Sequence, residues 1–187
     1  MDDLLALRRS PLAHLADELA ATGIIRELPY LTSYEVRGDP AEPAMTDLAA
    51  TLFGGPLLAA AWPAAGRAVG PGPRYALWCG PGWYLVVDAP GATLPIEAVD
   101  VSAARTVLEL TGPHARDVLA HGCAIDLHPR AFGPGSCAQT NLAKAQVILH
   151  RTATAYRVFV RASYADYLAR WLIDAAVEYV RGEPADR

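Results

Sequence analysis

Residues 74–88 read RYALWCGPGWYLVVD, and the fold is decided there. Two runs rich in aromatic and branched apolar residues, 74–79 and 83–88, flank Gly80-Pro81-Gly82. Proline presets a negative φ at the second turn position and glycine accepts a positive φ at the third, so the spacing predicts a hairpin closed by a type II turn. An isolated hairpin is marginal in water, so these strands need further strands or a helix to lie against.

Working outward, the C-terminal side supplies both. Strands are expected at 98–102, 106–110, 136–142, 145–151 and 156–161, with a helix opened by Gly112-Pro113 and running to about His121. The final helix is the strongest pattern. Ser163 stands as its cap with Asp166 three residues on, and Gly182 stops it. Tyr164, Tyr167, Leu168, Trp171, Leu172, Ala175 and Tyr179 form a stripe read as core, while Asp166 and Arg170 pair one turn apart. On the N-terminal side, 30–37 alternates as a strand. Residues 43–53 have helical spacing through Met45, Leu48, Ala49 and Leu52 until Gly54-Gly55-Pro56. Before them lies a helical arm capped by Ser10, with Pro11 first, Leu12, Leu15, Ala16 and Leu19 on one face, and Gly23 at its end. A Pro/Gly/Ala-rich connector fills 57–73. The pattern implies an α+β protein of two β-α-β-β-type lobes, antiparallel sheet packed by helices, within a single domain over 1–187 that divides into lobes 1–97 and 98–187.

Composition narrows the function. Of 187 residues, 45 are Leu, Ile, Val or Phe, enough for a folded core. The acidic start Met1-Asp2-Asp3 is unlike a secretory signal, and proline and glycine interrupt the longest uncharged stretch, so no membrane span is expected. Three cysteines, Cys79, Cys123 and Cys137, cannot all pair, which makes a cytoplasmic location the default. A net charge of −4 without a dense basic run argues against nucleic-acid binding. Fifteen of the sixteen basic residues are arginine, so a Schiff-base lysine could only be Lys144.

Motifs for catalysis are missing. Gly-Pro-Gly at 70–72, 80–82 and 133–135 makes a poor phosphate cradle because proline offers no N–H, and neither GxGxxG in strand–helix context nor GxxxxGK[ST] occurs. His121, Cys123 and His128 leave a metal site, and with it a metal-dependent hydrolase, sterically open. His114 and His121 lie about 10 Å apart along one helix, too far to share an ion. With Ala115, Val118 and Leu119 facing inward, His114, Asp117 and His121 form a flanking stripe suited to a partner interface. Cys123 and Cys137 read as small buried hydrophobes.

A resemblance adds what the patterns lack. Residues 126–132, DLHPRAF, followed by Cys137-Ala138-Gln139-Thr140, resemble the gamma subunit of heterotetrameric sarcosine oxidase. Arg9-Ser10-Pro11-Leu12, residues 28–32, residues 36–40, Leu77-Trp78-Cys79-Gly80-Pro81 with Trp83, and residues 162–168 agree in order. The resemblance implies an accessory, noncatalytic subunit of an enzyme that demethylates sarcosine oxidatively to glycine, forming hydrogen peroxide and 5,10-methylenetetrahydrofolate. It implies that FAD, FMN, NAD and tetrahydrofolate sit in companion chains. It further implies that this chain binds no cofactor or metal and contacts the alpha subunit directly, within a complex that also holds beta and delta subunits. The expected interface residues are His114, His121, His128, Arg130, Phe132 and Gln139. Residues 99–102 through 110–115 also resemble the folate-binding aminomethyltransferase fold, where acidic residues follow an Asn-containing turn. Here Ile148 and Leu149 stand at those approximate positions after the turn 141–145, which implies a folate-type fold without its ligand chemistry. A stand-alone folate-binding one-carbon protein, reading its ligand through Gln139 or Asn141, is the alternative.

Overall fold

A computed structural model describes residues 8–53, 66–70, 73–93 and 98–180. The predicted hairpin forms as β4 (Tyr75–Gly80) and β5 (Trp83–Asp88), paired antiparallel. Gly82 takes the positive φ of +59° that the turn requires, and a Cβ there would come within 2.9 Å of the Gly38 carbonyl oxygen. On one side β5 pairs with β2 (Thr32–Arg37), and β2 with the short β6 (Val99–Asp100); on the other, β4 pairs with β3 (Ala68–Val69). The order of this sheet is β3-β4-β5-β2-β6. The second sheet holds β1 (Ile25–Glu27), β7 (Arg105–Thr111), β8 (Cys137–Leu142), β9 (Ala145–Arg151) and β10 (Ala155–Arg161), in the order β1-β7-β10-β9-β8. Each half of the chain lends a strand to the other's sheet: β1 pairs with β7, and β6 with β2.

The sheets stack face to face between two helical layers. Leu77, Leu85 and Val87 from one sheet meet Val107, Ile148 and Phe159 from the other. The opposite face of the second sheet, with Leu108, Val147, Leu149, Val158 and Val160, is covered by α1 (Ala16–Ala21), α3 (Ala115–Ala120) and α4 (Ala165–Val180). The opposite face of the first sheet packs Val36, Ala76 and Val86 against Met45, Ala49 and Leu52 of α2 (Pro43–Phe53). Because both faces of the central strands are covered, β5 and β9 read as near-continuous apolar runs.

Several expectations need correction. Ser163 does not cap the final helix: it lies in a 3₁₀ turn, Ala162–Tyr164, with no capping hydrogen bond from a side chain at its start. Asp166 instead accepts from His14 of the N-terminal arm, 2.7 Å away, and from Arg170, as the one-turn pairing predicted. Of the predicted stripe of α4, Leu168 and Leu172 are buried and Trp171, Ala175 and Tyr179 pack partly buried against the core, but Tyr164 and Tyr167 do not join it. Ala165, Leu168, Ala169, Leu172 and Ala176 face inward, and Tyr164 and Tyr167 are exposed. Alanines at these positions let the helix approach the sheet closely. The N-terminal arm begins as a 3₁₀ turn, Ala13–Leu15, with the Leu12 N–H donating to the Ser10 hydroxyl at 3.2 Å, and Gly23 ends it at φ +63°. Within the connector predicted at 57–73, residues 68–69 form β3. Hydrogen bonds from the Ala68 N–H to the Gly135 carbonyl and from the Cys137 N–H to the Gly66 carbonyl hold it in place, each 2.8 Å long. The expected stops at Gly54-Gly55-Pro56 and Gly182 lie outside the described residues.

Candidate functional site

The six-residue α3 buries Ala115, Val118 and Leu119, so His114 and His121 emerge along its margin against α4, as the helical wheel predicts. They converge on one residue. The His114 ring stacks on Tyr179 with centroids 4.9 Å apart, and the His121 Nε2 lies 3.0 Å from the Tyr179 hydroxyl and 2.6 Å from Glu178 Oε1. Asp117 approaches His114 at 3.7 Å. Desolvation, aided by the carboxylates of Glu178 and Asp117, pushes the Tyr179 phenol up and keeps it neutral. Gly122 allows this closeness, because a Cβ would fall 2.5 Å from the Trp171 ring. The cluster is a half-exposed patch of imidazole, phenol and carboxylate, able to donate and accept hydrogen bonds to a partner surface.

The segment 126–132 is built from its two apolar residues. Leu127 and Phe132 are buried in the helix-side core, while His128, Pro129 and Arg130 are left exposed between them. Asp126 fixes the turn by accepting from the His128 N–H at 2.8 Å, and His128 Nδ1 accepts from the Arg130 N–H at 3.2 Å. Both the Ala131 and Phe132 N–H groups donate to the His128 carbonyl. Phe132 anchors the loop; His128 and Arg130 are what it presents. Gln139 stands at the edge strand β8 and donates through its side-chain amide to the Cys79 carbonyl, tying the two sheets together. Asn141 is exposed on the same strand, and Ile148 and Leu149 are buried on opposite faces of β9.

The structure does not gather His121, Cys123 and His128 into one site. Among the described residues no group of three or more His, Cys, Asp or Glu could hold a metal ion. Burial pushes the Cys123 thiol up, and drives Cys79 to about 12 and Cys137 to about 11, so all three stay protonated thiols. All three cysteines are free.

Sequence reasoning missed a polar cluster between the sheets. Glu109, on β7 next to the edge strand, is flanked in register by Arg26 of β1 and Arg157 of β10. It accepts from Arg26 Nε at 2.8 Å and from Arg157 Nε at 3.0 Å. Arg157 also donates to the Tyr75 hydroxyl at 3.1 Å across the gap, and the Tyr75 ring lies 5.1 Å from His150. Burial raises the Glu109 carboxyl, but the two guanidinium groups outweigh it and hold the group below its ordinary value. Burial, with the Arg157 charge, lowers His150 to about 4. The signal was a charge in the middle of two apolar runs, Glu109 within 107–110 and Arg157 within 155–160.

Two stacked antiparallel sheets between helical layers define the class: an α+β fold like the folate-binding domain of aminomethyltransferases. Aminomethyltransferase T of the glycine cleavage system from Bartonella henselae superposes with a TM-score of 0.59 at 14% identity, over 91% of this chain and 54% of that one. That likeness is one of fold. Residues 37–178 match the family described as "Sarcosine oxidase, gamma subunit family", and the chain belongs to it. It is 37% identical to the sarcosine oxidase subunit gamma of an Arthrobacter species, over 93% of this chain and 92% of the relative. It is 36% identical to that of Corynebacterium sp. strain U-96, over 99% and 98%. The solved heterotetrameric sarcosine oxidase from Corynebacterium sp. U-96, in complex with pyrrole 2-carboxylate, contains a chain that superposes with a TM-score of 0.82 at 33% identity. The match covers 96% of this chain and all of that one.

Proposed function

We propose that this chain is the gamma subunit of a heterotetrameric sarcosine oxidase and acts there as an accessory, noncatalytic component supporting the oxidative demethylation of sarcosine. The observation that carries the reading is the whole-length likeness to the gamma chains, 36% identity over 99% of this chain and 98% of the relative. The chemistry of the described residues supports it. Buried thiols are held protonated, the central carboxylate Glu109 is neutralised by two arginines, and side chains of both sheets fill the layer between them.

In this reading FAD, FMN, NAD and tetrahydrofolate belong to companion chains, and the chain meets the alpha subunit directly, with beta and delta subunits completing a cytoplasmic complex. The docking surfaces are the N-terminal arm and the face from His114 to Gln139, where His114, His121, His128 and Arg130 present polar groups and Phe132 and Gln139 fix the backbone beneath them. Among the described residues no helix is long and apolar enough to cross a membrane. Co-expression with the adjacent large subunit tests the reading: co-elution on gel filtration supports it, and separate elution of the two at micromolar concentration overturns it.

A further inference from the structure

The second sheet ends in β8 on one side and β1 on the other, and the two edges are finished differently. Both ends of β8 are covered by the chain itself: the Cys137 N–H donates to the Gly66 carbonyl, and Leu142 bridges to Cys123. Outside β1 the described residues place no further strand. The Leu28 N–H donates to the Val107 carbonyl, and the Ile24 carbonyl accepts from the Thr111 N–H. Residues 24, 26 and 28 therefore face β7, and by alternation the backbone groups of 25 and 27 face outward. Thr22 takes one of these, its hydroxyl accepting from the Ile25 N–H at 3.0 Å. Among the described residues the Ile25 carbonyl and both backbone groups of Glu27 have no partner. Pro29, which lacks an N–H, ends the ladder.

A groove of about 360 Å³ lies beside this edge. Ala13, Ala16 and Ala20 of the arm, all exposed, form one wall, and Pro29 and Tyr30 form the other, with Glu27 between them. Leu15 and Leu19 of the same arm are buried over the sheet. The exposed alanines and β1 can therefore share a hollow only at the outer margin of the sheet, where the free backbone groups point. The charged side chains of the strand are already engaged: Glu27 accepts from the Ser10 hydroxyl, and Arg26 pairs with Glu109. Arg8 is not. Its guanidinium lies 4.7 Å above the Tyr30 ring and its carbonyl accepts from the Tyr30 hydroxyl at 2.7 Å, which fixes it at one end of the groove. Asp100 feels its charge but accepts from Ser102, and among the described residues Arg8 forms no ion pair. Tyr30 holds a left-handed φ of +63°, a strained state for a bulky residue that persists only where its surroundings fix it.

We infer that an extended segment of a companion subunit completes β1: it adds a strand outside Ile25–Glu27, lays small apolar side chains against Ala13, Ala16 and Ala20, and brings a carboxylate to Arg8. Strand addition draws affinity from main-chain hydrogen bonds and selectivity from the pocket beside them. The free backbone groups call for extended chain, and the unmatched charge at the Tyr30 end calls for an acidic residue. The inference rests on the subunit reading and gives the docking role of the arm a definite form.

The test uses the full chain co-expressed with the adjacent large subunit. Amide hydrogen exchange is followed in the complex and in the chain alone, and the concentration of half-dissociation is measured for each variant. The Glu27 amide exchanges at least about tenfold more slowly in the complex than in the chain alone. Glu27→Pro deletes an N–H that the pairing with β7 does not use, and Ala16→Trp fills the groove from an exposed position. Both raise the concentration of half-dissociation about tenfold or more. Glu27→Gln, which keeps the N–H, binds as wild type, and Arg8→Gln costs about threefold. Co-elution of the wild-type pair with unchanged exchange at Glu27 overturns the strand site and leaves the subunit reading standing; so do folded Glu27→Pro and Ala16→Trp variants that dissociate as wild type does. Slow exchange that develops in the chain alone as its concentration rises assigns the edge to a second copy and also overturns the proposal. Should Glu27→Pro not fold, Ala16→Trp and the wild-type exchange decide. Separate elution of the wild-type chain and the large subunit overturns the subunit reading and the strand site with it.

Discussion

The two faces of the second sheet are built from the same strands and obey different rules. On the helix side, Leu108, Val147, Leu149, Val158 and Val160 belong to one apolar cluster. On the inter-sheet side, the alternate residues of the same strands include Glu109, His150 and Arg157 beside Val107, Ile148 and Phe159. An apolar layer supplies free energy without much discrimination between registers, since one branched residue substitutes tolerably for another. Buried charges that must meet across strands penalise every slip, because a one-residue shift turns each to the opposite face. The comparison teaches that both layers supply buried apolar area, and that the charges confined to the layer between the sheets add pairing precision.

Four measurements break or sharpen that contrast, by urea denaturation followed through tryptophan fluorescence. Phe159→Ala, which empties a fully buried ring from the inter-sheet layer, lowers stability by about 4 kcal/mol. A loss under about 1 kcal/mol would mean the sheets do not pack as tightly as described. Glu109→Ala strands Arg157 without its carboxylate and costs about 3 kcal/mol. The double variant Glu109→Leu with Arg157→Met recovers most of that loss while broadening amide exchange in β7 and β10; no recovery would make the pair a net stabiliser and not a registry device. Next comes acid. His150 is lowered to about 4 when folded against about 6.5 when free, so the unfolded chain binds the extra proton first. The contribution of His150 is fully present above pH 6.5 and declines as pH falls toward 4, with about 2 kcal/mol gone at pH 5. His150→Phe removes that part of the slope; an unchanged slope in the variant assigns it to other groups. The smallest effect is at the surface, where Asp166→Asn severs contacts with His14 and Arg170. The unfolding midpoint stays within repeat error, since solvent screens exposed pairs, and a clear shift would promote this contact to a fold determinant.

Much of this was legible in the sequence, and the failures are instructive. The hairpin at 74–88 could be read because a Pro-Gly turn leaves one geometry open, and β9 and β10 because their branched residues run between clear breaks. The three-residue β1 carries no local signal, since it exists only through its register with β7. The final helix was recognised by its period, and Leu168 and Leu172 were placed correctly, yet Tyr164 and Tyr167 were not: large rings outscore alanine in hydropathy, whereas close packing selects the alanines at 165, 169 and 176. At the candidate site, the flanking stripe of His114 and His121 followed from the helical wheel, but their meeting on Tyr179 needed the packing of two helices 58 residues apart. The Glu109 cluster was marked by charges inside apolar runs, whose partners only the strand order supplies.

The strand that residues 25–27 contribute has a consequence for how the polypeptide is made. Arg26 meets Glu109, a partner 83 residues further along. At about 5–20 residues per second of elongation, the segment emerges from the ribosome roughly 4–17 seconds before the strand it belongs beside, and longer before β10 closes the opposite side. Throughout that interval the apolar arm around Leu12, Leu15 and Leu19 has nothing to lie on. This early exposure is the step at which a nascent chain of this kind is most open to chaperone capture or to aggregation.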